Sequence, residues 1–121
     1  MLLVRRIDTG RWMFPGGLLE LGESLAETAI RETREEAGLQ IRPLRVRGIF
    51  GGHRVVYPHG DVLYPISTWF ECSIRSGSPR ADAEEVDRAE FFAPADFPEM
   101  VPGVRERWEK IIASPRAAVF N

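Results

Sequence analysis

The sequence predicts an α/β sandwich, a mixed β-sheet with two packed helices, in a single domain spanning residues 1–121. Three observations predict it. Short β-forming stretches alternate with two segments of helical periodicity. Gly and Pro clusters separate them at regular intervals. No repeat, low-complexity tract or linker divides the 121 residues, a length that suits one domain with a real core.

The elements follow in order. "MLLVRRI" is apolar and β-compatible, and "DTG" turns the chain. "RWMF" is a short extended piece stopped by Pro15, after which Gly16 and Gly17 allow backbone angles closed to other residues. Ser24 opens a helix, with Glu27 completing a capping box. Leu25, Ala26, Ala29, Ile30, Thr33 and Ala37 recur at steps of three and four on its packing face, and Gly38 ends it.

"IRPLRVRGIF" reads as a strand with Pro43 near its start, Arg45 and Arg47 lying on its wet face. "GGHRVVYPHGD" is a loop or hairpin tip. "VLYPISTWFECSI" is strongly β-forming, with Pro65 marking an edge or a bulge. After the loop "RSGSPRADAEE", "VDRAEFFA" is the last strand and "PADFPEMVPG" a turn-rich connection. "VRERWEKIIA" is an amphipathic helix with Val104, Trp108, Ile111 and Ile112 inward.

Composition narrows the function. Sixteen Lys and Arg against eighteen Asp and Glu give a net charge of -2, so no global field draws the chain to nucleic acid or anionic lipid. The single cysteine, Cys72, cannot close an intrachain disulfide and reads as a small strand residue. Charge appears after four residues, too soon for a signal peptide, and no apolar run approaches a membrane span. The expected location is the cytoplasm.

The chemistry is concentrated on the first helix. Glu32, Glu35 and Glu36 stand at i, i+3 and i+4 and project from one face. Like charges at those spacings cost a few tenths of a kcal/mol per pair, about 0.2–0.5. Two readings follow. The stripe is solvated and partly paired through Glu27–Arg31 and Arg31–Glu35, or it holds a hard cation such as Mg²⁺, which prefers oxygen ligands.

The wider spacing bears on that choice. Gly17, Glu23 and the run "RETREEAGL" resemble the Nudix box, the signature of hydrolases that cleave nucleoside diphosphates linked to another group. The matching positions are Gly17, Glu23, Arg31, Glu32, Glu35, Glu36, Gly38 and the apolar Leu39. Chance agreement at the seven fixed identities is on the order of one in a million. Thr33 departs from the Ile, Leu or Val preferred there, but its methyl can still pack. The likeness extends from Leu2 to about Pro98.

The resemblance implies a Nudix-type α/β/α sandwich and a Mg²⁺-dependent diphosphatase, with Mn²⁺ as a substitute ion. It implies that Glu35 and Glu36 ligate the metal with the Gly16 carbonyl, and that Glu32 ligates or acts as general base. Arg31 orients the acids, and Glu23 is a supporting carboxylate. A further acid before the last strand is matched best by Glu85, with Glu84 as the fallback. The substrate would be a small nucleotide derivative. The family's usual N-terminal strand or strands precede the point where this chain opens, so an open sheet edge and a homodimer are expected.

The loop "GGHRVVYPHGD" supplies the substrate-binding candidates. Tyr57 could stack on a base, and His53 and Arg54 could meet phosphate; the alternative is a hairpin shaped by Pro58 and Gly60. Tyr57 lies near a spacing associated with dinucleoside-polyphosphate members of the family. The proline spacing of its ADP-ribose hydrolases is not evident. A non-catalytic nucleotide-binding module is the second class of function. It explains less, because a retired enzyme has no chemical need to keep Glu32, Glu35 and Glu36 together.

Overall fold

The computed structural model describes all residues, Met1–Asn121. Strand β1 (Leu2–Arg6) is the middle of an antiparallel sheet ordered β2-β1-β7, with β2 at Trp12–Met13 and β7 at Val86–Phe91. Its consecutive residues Leu3 and Val4 are both fully buried, so both faces of this strand are covered. Leu3 packs with Trp12, Met100 and Val104, whereas Val4 packs with Ala37 and Val86. Ala37 belongs to helix α1 (Leu25–Ala37) and Val104 to helix α2 (Val104–Ile112). The two helices therefore cover opposite faces of β1, which is the expected α/β/α layering.

A second sheet is ordered β6-β3-β8, formed by β6 (Ser67–Ser76), β3 (Gln40–Phe50) and β8 (Val119–Phe120). β3 pairs β6 antiparallel through three register shifts and β8 in parallel, which makes this sheet mixed. Strands β4 (Val55–Val56) and β5 (Val62–Leu63) form a small hairpin, closed by Tyr57 N–H to Asp61 O at 2.9 Å. A 3-10 turn follows β7 at Pro94–Asp96.

Helix α1 starts and stops where its local chemistry dictates. Ser24 Oγ accepts the Glu27 N–H at 3.1 Å, and the Glu27 carboxylate accepts the Ser24 N–H at 2.7 Å. Gly38, at φ 70°, terminates the helix in the left-handed region that disfavours side chains. The buried face differs from the apolar pattern. Leu25 is 52% exposed, while Thr28, Thr33, Glu36 and Ala37 are the buried residues. Periodicity of apolar residues misplaces this face because one of the residues on it is a carboxylate.

Three other expectations are corrected. Ile112 is 48% exposed, so α2 faces inward through Val104, Trp108 and Ile111 only. The stretch "VLYPISTWFECSI" is broken around Pro65 into β5 and β6, as a residue without an N–H would dictate. β8 was not anticipated, since two apolar residues carry no period. Cys72 lies on β6, partly buried and free. No helix is long and apolar enough to cross a membrane.

The capping box sets the start of the acid-bearing helix. Ser24→Ala should cost about 1 kcal/mol in urea denaturation. The other half of the box titrates in both proteins: Glu27 is held below the usual carboxylate range by the Ser24 N–H, which Ala keeps, so its contribution exists above the ordinary Glu pKa and disappears as pH falls through the lowered one.

Candidate active site

The site is assembled where the turn Pro15-Gly16-Gly17 crosses the middle of α1. Gly16 N–H donates to Glu36 Oε2 at 3.4 Å. The Glu32 carboxylate lies directly against Gly17, in the space a side chain there would fill. Glycine at this point is thus a requirement of close approach, independent of its dihedral freedom. The Gly16 contact seen is made by its N–H; the expected role of its carbonyl is a separate matter.

Arg31 organises the acids. Its Nε meets Glu23 Oε1 at 2.5 Å and its Nη2 meets Glu23 Oε2 at 3.1 Å, a two-pronged pair. Nη1 donates to Glu32 at 2.9 Å and to Glu35 at 3.2 Å, and Nη2 also donates to the Leu18 carbonyl at 3.1 Å. Glu20 stands 3.7 Å away. Of the two helical pairs expected for Arg31, the one to Glu35 forms, whereas Glu27 turns instead to Ser24.

Glu23 is consumed by this clamp. Besides Arg31 it accepts from Thr28 Oγ1 at 2.8 Å and from the Glu20 N–H at 3.1 Å. The guanidinium, followed by these donors, holds its pKa down to about 2. Thr28 has no apolar or catalytic signature in the sequence, and only its place one turn after Ser24 hinted at it.

Glu36 is the opposite case. It is 5% exposed, and burial first, then the charge of Glu32, push its pKa up to about 8. The Glu85 carboxylate adds to that pressure. Glu85 sits just before β7, where Asp82 Oδ1 gathers the amides of Glu84, Glu85 and Val86 at 3.0, 3.3 and 3.3 Å. Ala83 takes φ 65° in this turn, and the Glu85 carbonyl accepts the Ile7 N–H at 3.0 Å. The fold therefore brings Glu85 from a distant part of the chain within reach of the charge of Glu36, with Glu84 beside it in the same turn.

The substrate-binding candidates do not form one cluster. Tyr57 stacks on His59 with ring centroids 5.5 Å apart, and His59 Nε2 lies 2.9 Å from Asp61. Arg54 is exposed and makes no side-chain hydrogen bond, and burial, then the charge of Arg107 of α2, hold the His53 pKa below the usual histidine value. Arg6 was not singled out from sequence. It lies at the bulge of β1, paired with Asp8 at 2.7 Å, where the charges of Tyr57 and Glu36 both act on it.

The donor set fits a divalent cation. A nearly fully buried carboxylate with one long hydrogen bond, set beside a second carboxylate, is a poor arrangement for protein alone and a good one around a hard ion. Glu32, Glu35 and Glu36 are the carboxylates that could supply its oxygens. No three acidic, His or Cys side chains already converge as a closed cage, because Arg31 draws Glu32 and Glu35 toward itself.

Glu36 makes this testable without turnover. Its raised pKa means the folded state holds an extra proton between the ordinary Glu value and about 8, so metal-free stability should fall as pH rises through that window. Glu36→Gln should flatten that profile and raise the alkaline Tm. Equal pH profiles for the two proteins would contradict the assignment.

Residues 1–113 match the NUDIX domain family. The chain is 42% identical over 89 residues to the Nudix hydrolase YvcI of Bacillus subtilis, covering 70% of this chain and 53% of that one. It is 30% identical over 103 residues to an ADP-ribose pyrophosphatase of Methanocaldococcus jannaschii, covering 83% and 58%. It thus spans little more than half the length of these curated relatives. The crystal structure of an ADP-ribose pyrophosphatase from Streptococcus suis shares the fold, with TM-score 0.76 and 24% identity over 99% of this chain and 88% of that one. With its box residues drawn together by Arg31 and its family matched over nearly its whole length, the chain belongs to the Nudix family.

Proposed function

We propose that the chain is a Mg²⁺-dependent diphosphatase, with Mn²⁺ as a substitute ion, that cleaves the diphosphate linkage of a nucleotide derivative. The observation that carries this is the buried Glu36, held against Glu32 under the Gly16–Gly17 turn. The two cores meet on β1, which supports a single catalytic domain across residues 1–121. The name of the Methanocaldococcus relative supports an ADP-ribose-like substrate as the first to try.

Glu32, Glu35 and Glu36 would hold the ion, with the Gly16 carbonyl as a companion and Glu23 behind them fixing Arg31. The ion would supply positive charge that draws the diphosphate and makes a water more acidic. The remaining work belongs to the chain's own residues. Arg31 fixes the direction of Glu32 and Glu35, so their lone pairs are aimed before substrate arrives. Glu85 is exposed, carries no side-chain hydrogen bond and lies near enough for its charge to act on Glu36, which would leave it free to accept the proton of an attacking water. Glu32, already bonded to Arg31, is the less available base. In-line attack at phosphorus then expels a phosphorylated leaving group, and most of the acceleration comes from positioning and charge.

A broad panel of nucleotide derivatives, analysed by product chromatography with and without Mg²⁺, tests this. The expected result is cation-dependent cleavage into two phosphorylated products. Glu85→Gln should lower kcat by about 100-fold or more if it is the base, with Glu84→Gln close to wild type. Glu36→Gln should abolish the response to Mg²⁺. Binding of nucleotide without cleavage across the panel would overturn the enzyme in favour of a binding module.

A further inference from the structure

Arg31 is occupied by the groups it aligns: each of its N–H donors has an acceptor, and its side chain is 15% exposed. It has nothing left for an anion that enters from solvent. A divalent ion and Arg31 together do not balance the carboxylates of Glu23, Glu32, Glu35, Glu36 and Glu85, and a diphosphate adds further negative charge. A substrate of that kind calls for a second cation that faces it.

Backbone geometry selects Arg6. Val4 and Arg6 project from the same face of β1. Val4 packs there with Ala37, the residue after Glu36 on α1, and with Val86. Val86 follows Glu85 and is the register partner of Arg6 on β7, while the Ile7 N–H donates to the Glu85 carbonyl at 3.0 Å. On the other side Val4 pairs with Met13 of β2, and Arg6 Nη1 lies 4.0 Å from Met13 Sδ. That contact fixes the guanidinium on the α1 face. Met13 leads through Pro15 to Gly16, whose amide meets Glu36. The end of α1, the turn before β7 and the turn after β2 thus border Arg6 on one face of the middle strand.

The guanidinium is oriented without being exhausted. The two oxygens of Asp8 accept from Nε at 2.9 Å and from Nη2 at 2.7 Å. Nη1 is left with a thioether sulfur, a weak acceptor. The side chain is 35% exposed, so a ligand can reach it. The charge of Glu36 reaches it as well. Neighbouring arginines are placed differently. Arg5 projects from the opposite face of β1 and is paired with Asp87 at 2.7 Å. Arg34, two residues from both Glu32 and Glu36, leaves α1 on its other side.

We infer that Arg6, held in place by Asp8, is a ligand to the diphosphate of the substrate, meeting it from β1 while the ion meets it from α1. The identity of the ligand rests on the diphosphatase reading; the placement of Arg6 does not. Charge-assisted hydrogen bonds from Nη1 supply the attraction. Asp8 is a positioning residue, which fixes the plane of the guanidinium and acts on substrate only through it.

Binding without turnover tests this. The probe is methylenediphosphonate, a diphosphate whose bridge does not hydrolyse, titrated by calorimetry into the full chain with saturating Mg²⁺. Arg6→Gln should weaken its binding about tenfold or more, the loss expected for a hydrogen bond to a charged group, with Arg6→Lys in between. Asp8→Asn should weaken it less, and the double variant should bind as Arg6→Gln does, since the two residues act as one unit. A folded Arg6→Gln protein with wild-type affinity overturns the assignment, and so does a wild type that ignores the probe. Losses that add overturn the role of Asp8. Should Arg6→Gln unfold, Arg6→Lys and Asp8→Asn carry the same comparison.

The nucleotide panel separates Arg6 from the enzyme itself. If both hold, the cleaved nucleotide shows a raised KM in Arg6→Gln. Probe binding that depends on Arg6, with no nucleotide cleaved, leaves Arg6 standing as an anion ligand and removes the diphosphatase. Cleavage with KM and probe affinity both indifferent to Arg6 does the reverse.

Discussion

One guanidinium holds the site together. Arg31 is bonded to Glu23, Glu32 and Glu35 and to the Leu18 carbonyl, and its side chain is 15% exposed. Without it, the acids of α1 would repel across a single helix face. With it, two of them are aimed, one is spent as a clamp, and the loop from Leu18 to Glu23 is fastened over the helix. Glu36 is the acid Arg31 does not reach, and it is the one left in strain.

The framework around this centre is consistent with that assignment. β1 is buried on both faces, so each helix has a fixed floor. The bulge at Arg5/Arg6 and the Ile7–Glu85 hydrogen bond set the β7 turn against α1. The turn that carries Glu85, distant in sequence, is thereby set on the side of α1, close enough for its charge to act on Glu36, and the Asp82 side chain locks that turn. Glu32 and Glu36 are sheltered, while Glu85 and Glu35 remain open to solvent.

What could be read from sequence was what local chemistry determines. The limits of α1 follow from Ser24, Glu27 and Gly38, and their signals lie within one turn of the ends they set. The box spacing located the acids and the glycine turn. Pairing of the strands, and β8 above all, depends on long-range register that no local period records. The same limit explains Glu23 and Arg31: i, i+4 logic pointed to Glu27, but the loop folds back and brings Glu23 to the guanidinium. Arg6 went unnoticed because an arginine's importance here lies in its burial and its partners, neither of which the sequence displays.

The most direct measurement of the central claim is a calorimetric titration of Mg²⁺ into the metal-free protein near pH 7.5, for wild type and Glu36→Gln. If the buried carboxylate belongs to a cation platform, wild type binds with release of protons, since Glu36 must ionise to ligate, and the Gln variant loses both the binding and the proton release. Equal binding by the two proteins would mean that the acid face of α1 is a solvated stripe arranged by Arg31 alone.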